Sequence, residues 1–369
     1  SRLSFWHEPR CQGYQAWNVF GFLRKWGIRM RKLVECVPNF SEGHNQKTID
    51  AIGASVQGVH GVRLLNIEPD KDYNRTVVTF VGEPDAVLEA AFRATRTAAD
   101  HIDMAHHRGE HPRIGAADVV PFVPISGVTM NDCVQISNRY GKRVASELNI
   151  PIYLYEFASH AQYRKNLSDI RRGEYEGLTD KLKDPAWKPD YGEPVFNSKS
   201  GATVTGARSI LIAFNVNLNS KDITLAHEIA LRIRESGRVM KDEFDNAVKN
   251  EKGETIKIPG TLKAVKAMGV FLERFKIAQV SMNLVDYEIT SVHEAYEEVK
   301  KQAQALDIDV TGSELVGLAP LSAMLKAGKF YSDKNTLSDQ EYISLAVEIL
   351  GLNQFEPFDA KNKIIEYQI

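Results

Sequence analysis

A chain of 369 residues is too long for one small core and suits two or three compact units. Lys plus Arg (46) nearly balance Asp plus Glu (48), so no global field favours a nucleic-acid backbone or an anionic membrane, and any anion site must be local. No apolar run approaches the roughly 20 residues needed to span a bilayer, and Cys11, Cys36 and Cys133 are an odd set without CxxC spacing. The expectation is a soluble protein of a reducing cytoplasm, with neither nucleic acid nor membrane as partner.

Residues 1–29 differ from the rest: they hold Trp6, Trp17 and Trp26, with five Arg/Lys against the single acid Glu8. The segment lacks the apolar stretch and cleavage site of a secretory signal. It reads as a tail outside the fold, either a targeting or partner-binding arm or a translated upstream region.

From residue 33 apolar periods alternate. Strands are expected at 33–37, 62–67, 76–81 and 118–123, with helices at 46–56, behind Asn45 as cap, and at 84–102. That order is βαββαβ, extended by a helix at 131–148 and a strand at 152–155. Residues 155–187 are expected to form a helix over the junction, and Pro185, Pro189 and Pro194 an extended connector. The second half repeats the order, with strands at 209–217, 263–271, 278–289 and 309–318 and helices at 223–233 and 292–305. Residues 241–257 alternate Lys with Asp and Glu and read as a solvated excursion. The fold class is therefore α+β, with two tandem ferredoxin-like (βαββαβ) subdomains, 30–208 and 209–369, the latter with C-terminal helices. A ligand cleft is expected between them, lined by 191–206.

The densest polar constellation runs from Asp103 to Gly115 and holds three of the ten histidines, His106, His107 and His111. Gly109 and Pro112 make 109–115 a loop, which frees His111 to face a ligand. An imidazole can accept and return a proton near neutral pH. His106 and His107 are expected to cap a helix C terminus. A metal site built from these three histidines lacks HEXXH spacing and a partner cluster. Asn39, Ser41 and Glu42 occupy a strand-to-helix loop that also reads as turn chemistry, and Arg75 opens a strand as an anion clamp or a surface charge. Residues 201–208 lack the Lys-Ser/Thr pair of a P-loop, and no GxGxxG or GxSxG motif is present.

Taken together, Val34-Glu35-Cys36-Val37-Pro38-Asn39-Phe40-Ser41-Glu42-Gly43, Asn74-Arg75-Thr76-Val77, Gly109-Glu110-His111-Pro112-Arg113, Gly127-Val128-Thr129-Met130 and Ala213-Phe214-Asn215-Val216-Asn217-Leu218 resemble the glutamate formiminotransferase family. The resemblance implies a homodimer and transfer of a formimino group from N-formimino-L-glutamate to N5 of tetrahydrofolate. Tetrahydrofolate is then a co-substrate, with no metal or redox cofactor. His111 matches the catalytic histidine. Gly192, Glu193, Pro194, Val195, Phe196, Asn197, Ser198, Lys199, Ser200 and Gly201 match the folate-binding loop, although its interior departs from the vertebrate pattern. Asn39, Glu42, Arg75, Arg113 and Arg208 are the residues nominated to meet substrate, Arg being suited to bidentate carboxylate contacts. A 5-formyltetrahydrofolate-dependent formyltransferase is the alternative on the same scaffold. A metal-dependent hydrolase using the clustered histidines is the reading from a different class.

Overall fold

The computed structural model describes residues 31–369 apart from Asp72, Glu110 and Asn335; the expected tail lies outside the described residues. The first strand is a line with a break. In β1 (Leu33–Cys36), Val34 and Cys36 enter the core; Pro38 lacks the N–H a ladder needs, and β2 (Asn39–Phe40) then resumes the line. Helix α1 (Gln46–Gln57) starts where the Asn45 side chain accepts from the Thr48 N–H, as expected. Next come β3 (Val62–Asp70), β4 (Arg75–Gly82), α2 (Pro84–His101) and β5 (Ala117–Ser126). Helix α3 (Met130–Leu148), opened by a Thr129/Asp132 capping box, leads to β6 (Ile152–Glu156).

The segment expected as one helix over the junction is instead several short turns, including α4 (Leu167–Arg171) and α5 (Leu178–Lys181). Gly173 and Glu174 take positive φ between them, which no helix tolerates. The second correction is β7 (Thr203–Ala207), expected as connector but lying as a strand between β5 and β6, parallel to both. The first sheet therefore runs β3-β4-β1/β2-β5-β7-β6, with its first four positions antiparallel.

The second unit holds β8 (Ile212–Leu218), α6 (Ile223–Ile233), and β9 (Arg238–Val239) paired with β10 (Lys257–Ile258) across the polar excursion. Strands β11 (Val265–Leu272) and β12 (Ile277–Leu284), helix α7 (Val292–Gln304) and β13 (Val310–Val316) complete it. Its sheet, β11-β12-β8-β13, is antiparallel throughout, and α8 (Leu321–Tyr331) and α9 (Asp339–Ile349) follow. The chain is thus a mixed α and β protein whose two units each follow the strand-helix-strand-strand-helix-strand order. Among the described residues no helix is long and apolar enough to cross a membrane.

Two faces of the first sheet have different jobs. Val34, Cys36, Phe40, Phe80 and Phe122 pack under the helices with Ile52, Phe92 and Tyr140. Because side chains alternate along a strand, Glu35, Asn39 and Arg75 leave by the opposite face. Part of that face is covered where Val119, Tyr153, Tyr155 and Val204 pack with Ile170 and Leu178.

Two loops converge at one end of the sheet. Gly115 and Gly201 form a bridge, and the Ala116 N–H donates to the Ser200 carbonyl over 2.9 Å. A Cβ on Gly115 would lie 2.1 Å from the Ala202 oxygen, a backbone atom that cannot swing away. Gly115→Ala is therefore expected to lower stability by about 1–3 kcal/mol, read from urea unfolding; an unchanged midpoint would show that the loops are not locked together.

Candidate functional site

His111, Arg75 and Asn39 meet although far apart in sequence. Arg75 opens β4 and Asn39 opens β2, and these strands pair at Asn39 and Val77. One Arg75 Nη1 donates to Asn39 Oδ1 at 3.2 Å and to His111 Nε2 at 3.0 Å. A guanidinium can only donate, so Nε2 holds a lone pair and the neutral ring carries its proton on Nδ1. The Tyr73 ring meets the imidazole edge-on at 6.2 Å.

Electrostatics enforce this state. Burial pushes the His111 pKa down to about 2, helped by Arg75, Arg171 and Arg113, with the Pro112 backbone opposing. Arg171, at the end of α4, was not among the sequence candidates. It is held by Asp118, whose other oxygen accepts the Ile114 N–H at 2.8 Å. Among the described residues, the Nε atoms of both Arg75 and Arg171 are buried without a hydrogen-bond partner. Unused buried donors are costly, and here both belong to cations beside the imidazole. The positive charge that Arg75 and Arg171 place beside the imidazole suits an anionic ligand.

The other nominated residues divide. Arg113 is 5% exposed, and its guanidinium is occupied by Glu174 at 2.8 Å and Glu176 at 2.7 and 2.9 Å. Its Nε donates to His107 Nδ1 at 3.2 Å, so the His107 Nε2–H donates to the Asn74 carbonyl at 2.9 Å. This clamp ties the histidine loop to the segment that carries Arg171. Glu42 turns toward α1, accepting the His44 and Asn45 N–H groups at 2.8 and 2.9 Å. Arg208 donates to the Ser209 carbonyl at 3.0 Å and lies against Tyr155, away from His111 in its bonding.

The 192–201 loop lies beside the histidine loop. The Lys199 carbonyl accepts the Met104 N–H at 2.9 Å, and its Nζ donates to the Asp100 carbonyl at 2.8 Å. Tyr175 donates to the Ser198 carbonyl at 2.6 Å and packs on Phe196, and Asn197 accepts the Ser200 N–H at 2.9 Å. Val195 stands 67% exposed. Gly192, Glu193, Pro194 and Gly201 complete the loop, with Gly192 and Gly201 at positive φ.

The three clustered histidines do not converge. His106 bonds Asp103 at 2.9 Å, His107 faces Asn74 and Arg113, and His111 faces Arg75. The expected capping of a helix C terminus by His106 and His107 is not found, since α2 ends at His101 and neither ring reaches its carbonyls. Among the described residues no group of three His, Cys, Asp or Glu is arranged to hold a metal ion.

Fold and site together define a two-unit α and β protein with a neutral histidine framed by buried arginines and backed by a glycine-bounded loop. Comparison with known proteins gives the family. The formiminotransferase domain, N-terminal subdomain, matches residues 33–208, and the formiminotransferase domain matches residues 213–369. The chain belongs to the formiminotransferase-domain family. It is 49% identical over 343 residues to the formimidoyltransferase-cyclodeaminase of Rattus norvegicus, covering 92% of this chain and 60% of that relative. It is 43% identical over 302 residues to the glutamate formimidoyltransferase of Streptococcus pyogenes serotype M1, covering 82% of this chain and 94% of that protein. The Thermoplasma acidophilum glutamate formimidoyltransferase is 39% identical, with 86% and 97% covered. The chain thus spans about three fifths of the bifunctional relatives it matches.

A neutral His111 makes the fold sensitive to acid. In the unfolded chain the ring takes a proton as pH falls through the ordinary 6.5, whereas the native ring resists until about 2. The unfolded state then binds more protons, so stability declines as pH drops below 6.5, by up to about 1.4 kcal/mol per pH unit for this group. His107 and His293, also depressed by burial, act in the same sense. His111→Asn should remove up to about 2 kcal/mol of the stability lost between pH 7 and 5, measured by urea unfolding at both; equal losses in the two proteins would show that the native ring titrates normally.

Proposed function

We infer that this chain is a glutamate formimidoyltransferase, moving the formimino group from N-formimino-L-glutamate to N5 of tetrahydrofolate. The observation that carries this reading is the neutral His111 imidazole that accepts from Arg75, with Arg171 adding positive charge beside it. Such a site suits a substrate with two carboxylates. The named relatives and the two matching subdomains support the same reaction. The strand orders β5-β1-β4-β3 and β13-β8-β12-β11 support two ferredoxin-like subdomains, divided near residue 208. A homodimer and a cytoplasmic setting belong to this reading through the family resemblance and the cysteine pattern.

The geometry suggests how binding starts the chemistry. In the free protein the Nε2 lone pair is taken by Arg75, and the surrounding cations oppose protonation. A substrate carboxylate that engages Arg75 releases this lone pair and offsets the positive charge, which raises the imidazole's affinity for a proton. Tetrahydrofolate N5 then attacks the formimino carbon, and its proton passes to Nε2. The resulting imidazolium returns that proton to the glutamate nitrogen as the carbon–nitrogen bond breaks. Glutamate leaves, and the formimino carbon stays on N5. The step as written uses no metal or redox group. Proton transfer of this kind contributes about 10² to 10⁴ in rate, and holding both substrates in one site supplies a second large factor.

In this reading Asn39 orients Arg75, and Arg113 acts through the clamp on the histidine loop rather than by touching substrate. Gly192 to Gly201 forms one wall of the folate site, with Lys199 and exposed Val195 at its surface. Glu42 holds the start of α1, and Arg208 contributes positive charge further along the sheet.

A turnover assay with formiminoglutamate and tetrahydrofolate tests this. The wild-type protein should form 5-formiminotetrahydrofolate, His111→Ala should lose about 10³-fold or more in kcat while still binding folate, and Arg171→Ala should raise KM for formiminoglutamate about tenfold or more. Full activity without His111 would end the proposal.

A further inference from the structure

The site face of the first sheet carries a second polar group that the transfer step leaves unused. Glu35 stands between Val34 and Cys36, both in the core under the helices, so its side chain leaves the sheet on the face that holds Asn39 and Arg75. It is 4% exposed, and among the described residues no hydrogen bond or ion pair reaches its carboxyl. Its neighbours explain this. Arg208 spends its guanidinium on Tyr155 and on the Ser209 carbonyl, while Glu366, in the C-terminal turn Ile365–Tyr367, brings a second negative charge. Glu35 therefore lies where the first sheet faces the second unit.

A buried carboxyl without partners is unfavourable, and what relieves it is a ligand with adjacent N–H donors. Position narrows the choice. Asn39 and Glu35 are four residues apart on one strand line, roughly 13 Å, and Arg75 joins Asn39 to His111 at 3.2 and 3.0 Å. Once side chains are allowed for, the interval suits one bicyclic ring with a hydrogen bond at each end. Resting on the tetrahydrofolate reading above, we propose that Glu35 recognises the pterin: its carboxylate accepts two parallel hydrogen bonds, from N3–H and the 2-amino group, and turns N5 toward His111.

The proposal explains why an acid stands at this position in a strand. Burial pushes the Glu35 pKa up to about 7, with Arg208 opposing and Glu366 adding, and the Cys36 thiol feels the same carboxyl from the other face of the sheet. Two N–H donors from a ligand stabilise the ionised form, so binding draws the group back toward ionisation and releases a proton.

Dissociation constants for tetrahydrofolate and for its 2-desamino-2-methyl analogue, measured anaerobically on wild type and Glu35→Gln, test this. Wild type should prefer tetrahydrofolate by about tenfold or more; Glu35→Gln should bind both about as weakly as wild type binds the analogue, with KM for tetrahydrofolate raised far more than kcat is lowered. The wild-type comparison does not depend on the variant folding. Tight and equal binding of both ligands by wild type would overturn the Glu35 assignment alone, whereas failure of wild type to bind either would overturn the tetrahydrofolate reading and this proposal with it.

Discussion

The contact between Arg75 and His111 sets the state of the whole site. Because the arginine only donates, it fixes the imidazole as a neutral ring with its lone pair on Nε2. Burial and the nearby Arg171 and Arg113 keep it neutral far below the ordinary pKa. A free imidazole in water would be partly protonated at neutral pH and would have no preferred direction. In the proposed reaction the base is stored ready and blocked, and the group that blocks it is the one an incoming carboxylate would attract. On that proposal, substrate binding and base activation are one event.

Much of the fold exists to hold that contact. Pro38 breaks the first strand so that β2 brings Asn39 alongside the start of β4, where Arg75 emerges. The close backbone approach of Gly115 and Gly201 joins the histidine loop to the 192–201 loop, which a side chain at either position would prevent. Arg113 draws Glu174 and Glu176 against the same loop, and Arg171 lies just before them. Three separate stretches of chain thus converge on one ring.

The strand and helix order was legible because apolar periods over long elements are strong signals, as in α2 and the pair β3 and β4. Strand β7 was not, since Thr203–Ala207 is short and followed a glycine that suggested a loop. The stretch between β6 and β7 misled in the opposite way: its charged, helix-forming composition hid the backbone reversal at Gly173 and Glu174. At the site, His111, Asn39 and Arg75 could be found from loop position and residue type, and they do come together. Arg113 was nominated for substrate as an arginine near the expected cleft, but its carboxylate partners are 61 and 63 residues away, a pairing no local pattern encodes. Arg171 and Glu35 were missed for the same reason: one lies in a charged run, the other in an apolar strand, and only tertiary packing distinguishes them.

The central claim is that His111 is held neutral in the free protein and becomes an effective base only when carboxylate ligands occupy its arginines. Nitrogen chemical shifts of His111, followed against pH with and without formiminoglutamate, test this most directly. The account predicts a ring protonated at Nδ1 and not titrating between pH 5 and 8 in the free protein, with its pKa raised toward neutrality in the complex. A free-protein ring that titrates near 6.5 and does not respond to the ligand would contradict it.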